Sequence, residues 1–238
     1  MIGVIQISGH TLHPRFLDEK SIVLDLGANH GAFSKQILMS FGGRCIAVEG
    51  NPFLASKLPK DARLEVISAA VGASDGAVRF SIAENDQCSS VLSPTISATM
   101  AVEEVPMISL PTLIRENGWE TIDLVKMDIE GAEVMVLDAC PDEILLQIGQ
   151  LAVEFHESLG LTSMSDVFRI AGRLEKLGFI WIRGTFSNYE DNLFINRALC
   201  PLSRFELLFI QAVSRYLNGL IRVLRRLTRR VFPHKPVC

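Results

Sequence analysis

No run of apolar residues in this 238-residue chain approaches the ~18 that a membrane span requires, so no transmembrane helix is expected. Cysteine is scarce and scattered. Cys45, Cys88, Cys140, Cys200 and Cys238 are odd in number and form no CxxC pair. That spacing excludes a zinc-finger pattern and a disulfide framework, and it fits a reducing compartment. The opening Met1-Ile-Gly-Val-Ile-Gln-Ile-Ser lacks a charged n-region and a long apolar stretch, so no signal peptide is expected. A cytoplasmic location follows, with any membrane contact peripheral.

Charge is unevenly spread. Residues 201–238 hold eight Lys or Arg against one acid, a balance of +7, which leaves −11 for residues 1–200 within a net −4. Such asymmetry marks a tail that meets an anionic partner or is solvated. Three segments are expected: an arm over residues 1–20, a domain over 21–200, and a basic amphipathic helix or tail over 201–238. In the tail Val213, Leu217, Leu220, Leu224, Leu227 and Val231 recur at three or four residues, and arginines take the other faces. This suits an anionic membrane surface, or packing on the domain or a second subunit. An acidic body and few tail aromatics argue against nucleic acid.

What is present is a core: 48% of residues are hydrophobic and 21% charged. Short apolar runs alternate with helical patterns, the mark of a parallel sheet covered on both faces. Strands are expected at Ser21–Leu26, Arg44–Val48, Arg63–Ala70, Ile122–Asp128, Gln150–His156, Gly178–Arg183 and Asn192–Asn196. Helices are expected at Ala32–Phe41, Pro52–Leu58, Ala132–Ala139 and Ser163–Leu177. From Val71 to Leu110 the rhythm breaks into a β-hairpin insertion, where Pro106 suggests an edge strand. The fold class expected is α/β: a Rossmann-like, doubly wound, mostly parallel seven-stranded sheet.

The strongest motif is Val23-Leu24-Asp25-Leu26-Gly27-Ala28-Asn29-His30-Gly31-Ala32-Phe33, a strand, a glycine turn and a helix start. Gly27 permits a sharp turn near a ligand, and Gly31 permits close packing. Amides at the helix start favour a carboxylate. Asp25 can accept from an ammonium group, and Glu49, ending the next strand, can accept from both hydroxyls of a ribose. Ala28, Asn29, Phe33, Asn51 and Ala70 complete the candidate cofactor set, with His30 on its rim. The third glycine of G-x-G-x-x-G is missing, and Asp25 would repel a diphosphate. A cationic sulfonium nucleoside, S-adenosylmethionine (SAM), fits better. A nicotinamide oxidoreductase is the rival enzyme class, and a non-catalytic membrane-associated protein retaining the fold is the rival outside enzymes.

VLDLGANHGAFS, AVEGNP and above all LVKMDIEGAEVMVL resemble the FkbM-type methyltransferases, a SAM-dependent group acting mostly on hydroxyls. The likeness runs from Ser21 to His156. It implies a class I methyltransferase fold, Asp25, Gly27, Asn29 and Gly31 as cofactor-loop positions, and Glu49 as the ribose ligand. The chain departs at Leu110-Pro111, where relatives carry Leu-Asp before a helix. That departure bears on capping more than on chemistry.

A hydroxyl acceptor must lose a proton, which calls for a base or a metal. Candidates lie at strand ends. Lys126, Asp128 and Glu130 follow one strand, with Asp128 the first choice for contact with the acceptor. Lys126 would hold Asp128 ionised, stabilise an alkoxide, or simply form a structural ion pair. Glu130 would act there or open the next helix near its positive end. Glu154 and His156 end the neighbouring strand, and His156 is the candidate general base because its pKa lies nearest neutrality. Asp128, Glu154 and His156 could also gather one divalent cation, although without a second histidine at ligand spacing a metal is not favoured. His10 and His13 lie in the arm, which could fold over the site. Gln87-Cys88-Ser89-Ser90 is a candidate acceptor loop.

Overall fold

The computed structural model describes residues 3–83, 99–157, 162–184 and 191–210. The acceptor-loop candidate Gln87–Ser90 and residues 211–238 of the basic tail lie outside these residues, whereas 204–210 are helical.

The chain opens with a hairpin of β1 (Ile5–Ile7) and β2 (His10–Leu12). The main alternation follows: β3 (Ile22–Leu26), α1 (Ala32–Phe41), β4 (Arg44–Glu49), α2 (Pro52–Lys57) and β5 (Leu64–Ser68). A side sheet is then built from β6 (Ala70–Gly72), β7 (Gly76–Ala83) and β8 (Thr99–Ser109). The rhythm resumes with α3 (Leu110–Glu116), β9 (Ile122–Met127), α4 (Glu133–Ala139), α5 (Asp142–Leu145), β10 (Ile148–Val153), α6 (Met164–Lys176), β11 (Phe179–Arg183) and β12 (Asn192–Asn196).

The main sheet has seven strands in the order β11-β12-β10-β9-β3-β4-β5. All neighbours from β5 to β10 are parallel, and β12 runs antiparallel between β10 and β11. The chain leaves β3 toward β4 and β5, then returns to β3's other side as β9. The direction of winding therefore reverses between β3 and β9, and ligands in open α/β sheets bind at the carboxyl ends of such a pair.

Period-two alternation explains the two-sided burial. Leu24, Leu26, Ile46, Val48, Val125 and Met127 face one layer, where they meet Leu113, Val136, Ile170 and Leu174 of α3, α4 and α6. The intervening Val23, Cys45 and Leu124 face the other, against Phe33, Ile37 and Leu38 of α1 and Leu12 of the hairpin. Helix ends follow local chemistry. Asn51 caps α2 by accepting from Phe53 N at 3.0 Å, and Gly42 (φ 82°) ends α1 in the left-handed region. The Leu110-Pro111 departure is resolved by Ser109, whose hydroxyl accepts from Thr112 N at 3.3 Å and caps α3.

Three expectations are corrected. Pro106 lies in the middle strand of the side sheet, not an edge strand. It is tolerated because β6 pairs only with Met107–Ser109, leaving β8 with the single partner β7 at Pro106. Strand β10 ends at Val153, so Glu154 and His156 stand in the loop beyond it. Glu130 does not open α4, which starts at Glu133; Glu130 instead takes a left-handed φ of 53°.

Candidate active site

The turn after β3 is shaped by the strands around it. Gly27 (φ 78°), Asn29 (φ 50°) and Gly31 (φ 73°) all bend left-handed. Gly27 N and Ala28 N donate to Val48 O at 2.9 and 3.1 Å, tying the turn to β4. A side chain at Gly27 would overlap the Asp128 carbonyl, and one at Gly31 would press on Leu58 and Pro59. Both glycines are therefore required by backbone angle and by space.

Glu49 closes the turn from the side. Its carboxylate accepts from Asn29 N at 2.7 Å and Asn51 N at 2.8 Å. Burial raises its pKa, and the two amides oppose that rise. Each oxygen keeps a second lone pair for an outside donor. Ala70 is buried at the start of β6, one residue beyond Ala69, whose N–H donates to Glu49 O at 3.0 Å. Ala28 and Phe33 are buried, and His30 is exposed on the rim.

Asp25 lies deeper than a ligand contact requires. It is fully buried and accepts from Ser34 Oγ at 2.5 Å, while its other oxygen stands 3.2 Å from Lys126 Nζ. Lys126 joins the two halves of the site. Its ammonium donates to Gly27 O at 2.6 Å and lies 3.4 Å from both Leu26 O and Asp128 Oδ2. With only three N–H bonds to give, it is saturated by these acceptors. Burial disfavours its charge, but Asp25 and Asp128 outweigh burial and the pKa is raised.

Beyond the strand ends, acids and imidazoles converge on Asp128. Its Oδ1 is 3.5 Å from His156 Nε2, and its Oδ2 is 3.6 Å from His10 Nε2. His156 Nε2 also stands 3.4 Å from Glu130. Glu154 offers an oxygen within 4.8 Å of the His10 and Asp128 ligand atoms. Burial would raise the Asp128 pKa, yet Lys126, His10 and His156 drive it well below the usual carboxylate range. Burial pushes Glu130 up to about 7. His156 is pulled down by burial but lifted more strongly by Glu133, Glu130 and Asp128, to about 9. At neutral pH it therefore holds its proton, contrary to what an unperturbed histidine suggests.

Two participants carried no sequence signal sufficient to place them. Glu133 is fully buried and binds His156 Nδ1 at 3.0 Å, while the same oxygen accepts from Ile129 N and Gly131 N. Its place inside an acidic motif was visible, its inward aim was not. His10 arrives on the N-terminal hairpin, edge-on to Phe33 at 5.6 Å. The hairpin is fastened where Thr11 N and Oγ1 donate to Asp191 and where His13 N donates to Gln150. His13 itself is buried away from the acids, against Phe16.

A switch point at β3 and β9, an acid on β4 facing the glycine turn, and an antiparallel β12 beside β10 define the Rossmann-like class I methyltransferase fold. The methyltransferase FkbM domain model matches residues 25–180, and the chain belongs to that family of SAM-dependent methyltransferases. No curated protein matches the chain. Among solved structures it is similar to TrmK of M. capricolum in complex with S-adenosyl-homocysteine, at 10% identity and a TM-score of 0.44. That match covers 94% of this chain and 90% of the other. It is also similar to precorrin-6y C5,15-methyltransferase from Geobacter metallireducens, at 12% identity and TM-score 0.39, covering 75% and 79%. Fibrillarin from Aeropyrum pernix with bound S-adenosyl-L-methionine matches at 13% identity and TM-score 0.39, covering 75% and 66%. No helix among the described residues is long and apolar enough to cross a membrane.

Proposed function

We propose that this protein transfers the methyl group of SAM to a hydroxyl oxygen of a sugar, a glycan precursor or another small metabolite. The observation that carries the reading is the gathering of Asp128, Glu130, Glu154, His156 and His10 beside the glycine turn. An acceptor already deprotonated, such as a thiolate, would have little use for so many proton-handling groups. An acceptor hydroxyl does need them, because it must be deprotonated as it is methylated.

In this scheme the backbone of Gly27, Ala28, Asn29 and Gly31 cradles the amino-acid end of SAM. Glu49 accepts from the ribose hydroxyls through its remaining lone pairs. Asn51, Ala70 and Phe33 shape the surrounding wall. Asp25 and Lys126 act as positioning residues, since Lys126 pins the turn carbonyls and orients Asp128. The hydroxyl lies against Asp128. Its O–H bond breaks toward Glu154, its oxygen forms a bond to the methyl carbon, and the C–S bond breaks with its electron pair left on sulfur. The sulfonium thereby becomes the neutral thioether of S-adenosyl-homocysteine. Alignment along the O–C–S line and exclusion of water supply much of the acceleration.

The test uses SAM labelled in its methyl group, incubated with the purified protein and a glycan and metabolite extract. Products carrying the label on oxygen support the reading. Label found on nitrogen or carbon, or no SAM binding by calorimetry, overturns it.

A further inference from the structure

We infer that Asp128, Glu130 and His156 form a binding site for one divalent first-row cation, of the Mn2+ or Zn2+ type. As a device for activating a hydroxyl, the site rests on the function proposed above. As a binding site it is tested without that reading.

The geometry suits an ion. His156 Nε2 stands 3.5 Å from Asp128 Oδ1 and 3.4 Å from Glu130 Oε2, and one ligand atom from each residue lies within 4.8 Å of the others. Two atoms each about 2.1 Å from a shared ion stand roughly 3.0 to 3.4 Å apart for right-angle to tetrahedral arrangements, so the two spacings from His156 already lie close to what an ion needs. Asp128 and Glu130 expose about a quarter of their side chains (25% and 24%) while His156 exposes 8%. An ion could therefore enter from the carboxylate side and keep coordination positions open for another oxygen.

The second observation is the support behind the histidine. His156 Nδ1 bonds to the fully buried Glu133 at 3.0 Å, and Glu133 is fixed by the amides of Ile129 and Gly131. A histidine whose far nitrogen is held by a buried, amide-anchored carboxylate presents its near nitrogen as an oriented ligand, and a binding ion displaces the proton that this nitrogen carries in the metal-free site. Glu130 reaches the same point only through a left-handed backbone, φ 53°.

The chain offers a second trio, His10, Asp128 and Glu154. It would share Asp128 Oδ2, where the Lys126 ammonium already stands at 3.4 Å and repels a cation. The Oδ1 side faces His156 instead. The donor set of two carboxylates and one imidazole selects manganese, iron or zinc over calcium. An ion there would lower the pKa of a coordinated hydroxyl, narrowing the gap of about 11 units between an alcohol-like oxygen and a carboxylate base.

The test takes the full chain, stripped with chelator and free of SAM, titrated calorimetrically with Mn2+ and with Zn2+. The Mn2+ arm is followed in parallel by electron paramagnetic resonance. We expect one ion per chain, with affinity reduced at least tenfold in Glu130→Gln, in His156→Ala and in Glu133→Gln. SAM titrations of the same variants report whether they fold, and SAM binding by Glu130→Gln keeps the test valid if the histidine variant misfolds. Absence of binding below millimolar, or binding that Glu130→Gln leaves unchanged in a SAM-binding protein, overturns the site. Methyl transfer to a hydroxyl by metal-free protein would overturn the ion's role in activating that hydroxyl, whereas a bound ion with no O-methylated product would sink the function and leave the site standing.

Discussion

Lys126 offers the sharpest energetic test of how the site is held together. Replacing it with Met keeps the stem and removes the ammonium. Asp25, fully buried, loses the cation 3.2 Å from its Oδ1, and the carbonyl of Gly27 loses a 2.6 Å bond. Breaking one side of a buried pair costs about 3–5 kcal/mol, because a carboxylate is left desolvated and uncompensated. For a chain of this size each kcal/mol moves Tm by about 2–4 °C, so thermal unfolding should fall by roughly 10 °C. Adding Asp25→Asn to Lys126→Met removes the stranded charge and should recover more than half of the loss. The two substitutions, each destabilising alone, then show a coupling of at least about 2 kcal/mol in a double-mutant cycle. The assay is thermal or urea unfolding of the four proteins at one pH, with SAM titration as a second readout. A Lys126→Met protein within about 1 kcal/mol of the parent, or strictly additive effects, would refute the claim that this ion pair organises the turn.

Glu49→Gln should weaken SAM binding by roughly ten- to a hundredfold, since an amide cannot accept from both Asn29 N and Asn51 N and the turn loses a charge-assisted bond; calorimetry reads this directly. Asn51→Ala should cost about 1 kcal/mol through loss of the α2 cap, visible in urea unfolding with little change in m. The buried thiols of Cys45, Cys140 and Cys200 are pushed up to about 12 by burial. The unfolded chain releases these protons from about pH 9 and the folded chain only near 12, so stability should fall as pH rises through that window. The loss amounts to about 1.4 kcal/mol per thiol by pH 10. A Cys45→Ala variant should show a shallower Tm decline between pH 9 and 10, and an equal slope would contradict the assignment.

Much of the architecture could be read from the chain because burial on two faces forces near-continuous apolar runs. The strands at β3, β4 and β9, the helix at α1 and the cap at Asn51 all follow from local patterns. The glycine turn was legible for the same reason, its angles being demanded by nearby residues. What local pattern cannot convey is where a buried charge finds its partner. Asp25 looked like a ligand contact at a strand end, yet it faces Ser34 and Lys126. His156 looked like a neutral base, and only the position of Glu133 behind it, 23 residues away in sequence, shows that it is held charged. His10 lies 118 positions before Asp128, and no spacing rule links them. The end of β10 at Val153 was missed because Phe155 is as buried as a strand residue while lying outside the ladder.

The bent backbone at Glu130 sets stability against chemistry at a single position. A side chain held at φ 53° carries roughly 1 kcal/mol of conformational tension that glycine would not feel. Exchanging that residue for glycine would relax the loop into a sturdier protein stripped of one of its converging carboxylates. Variants selected for heat resistance alone would drift toward such a change, whereas those kept for activity would retain the strain.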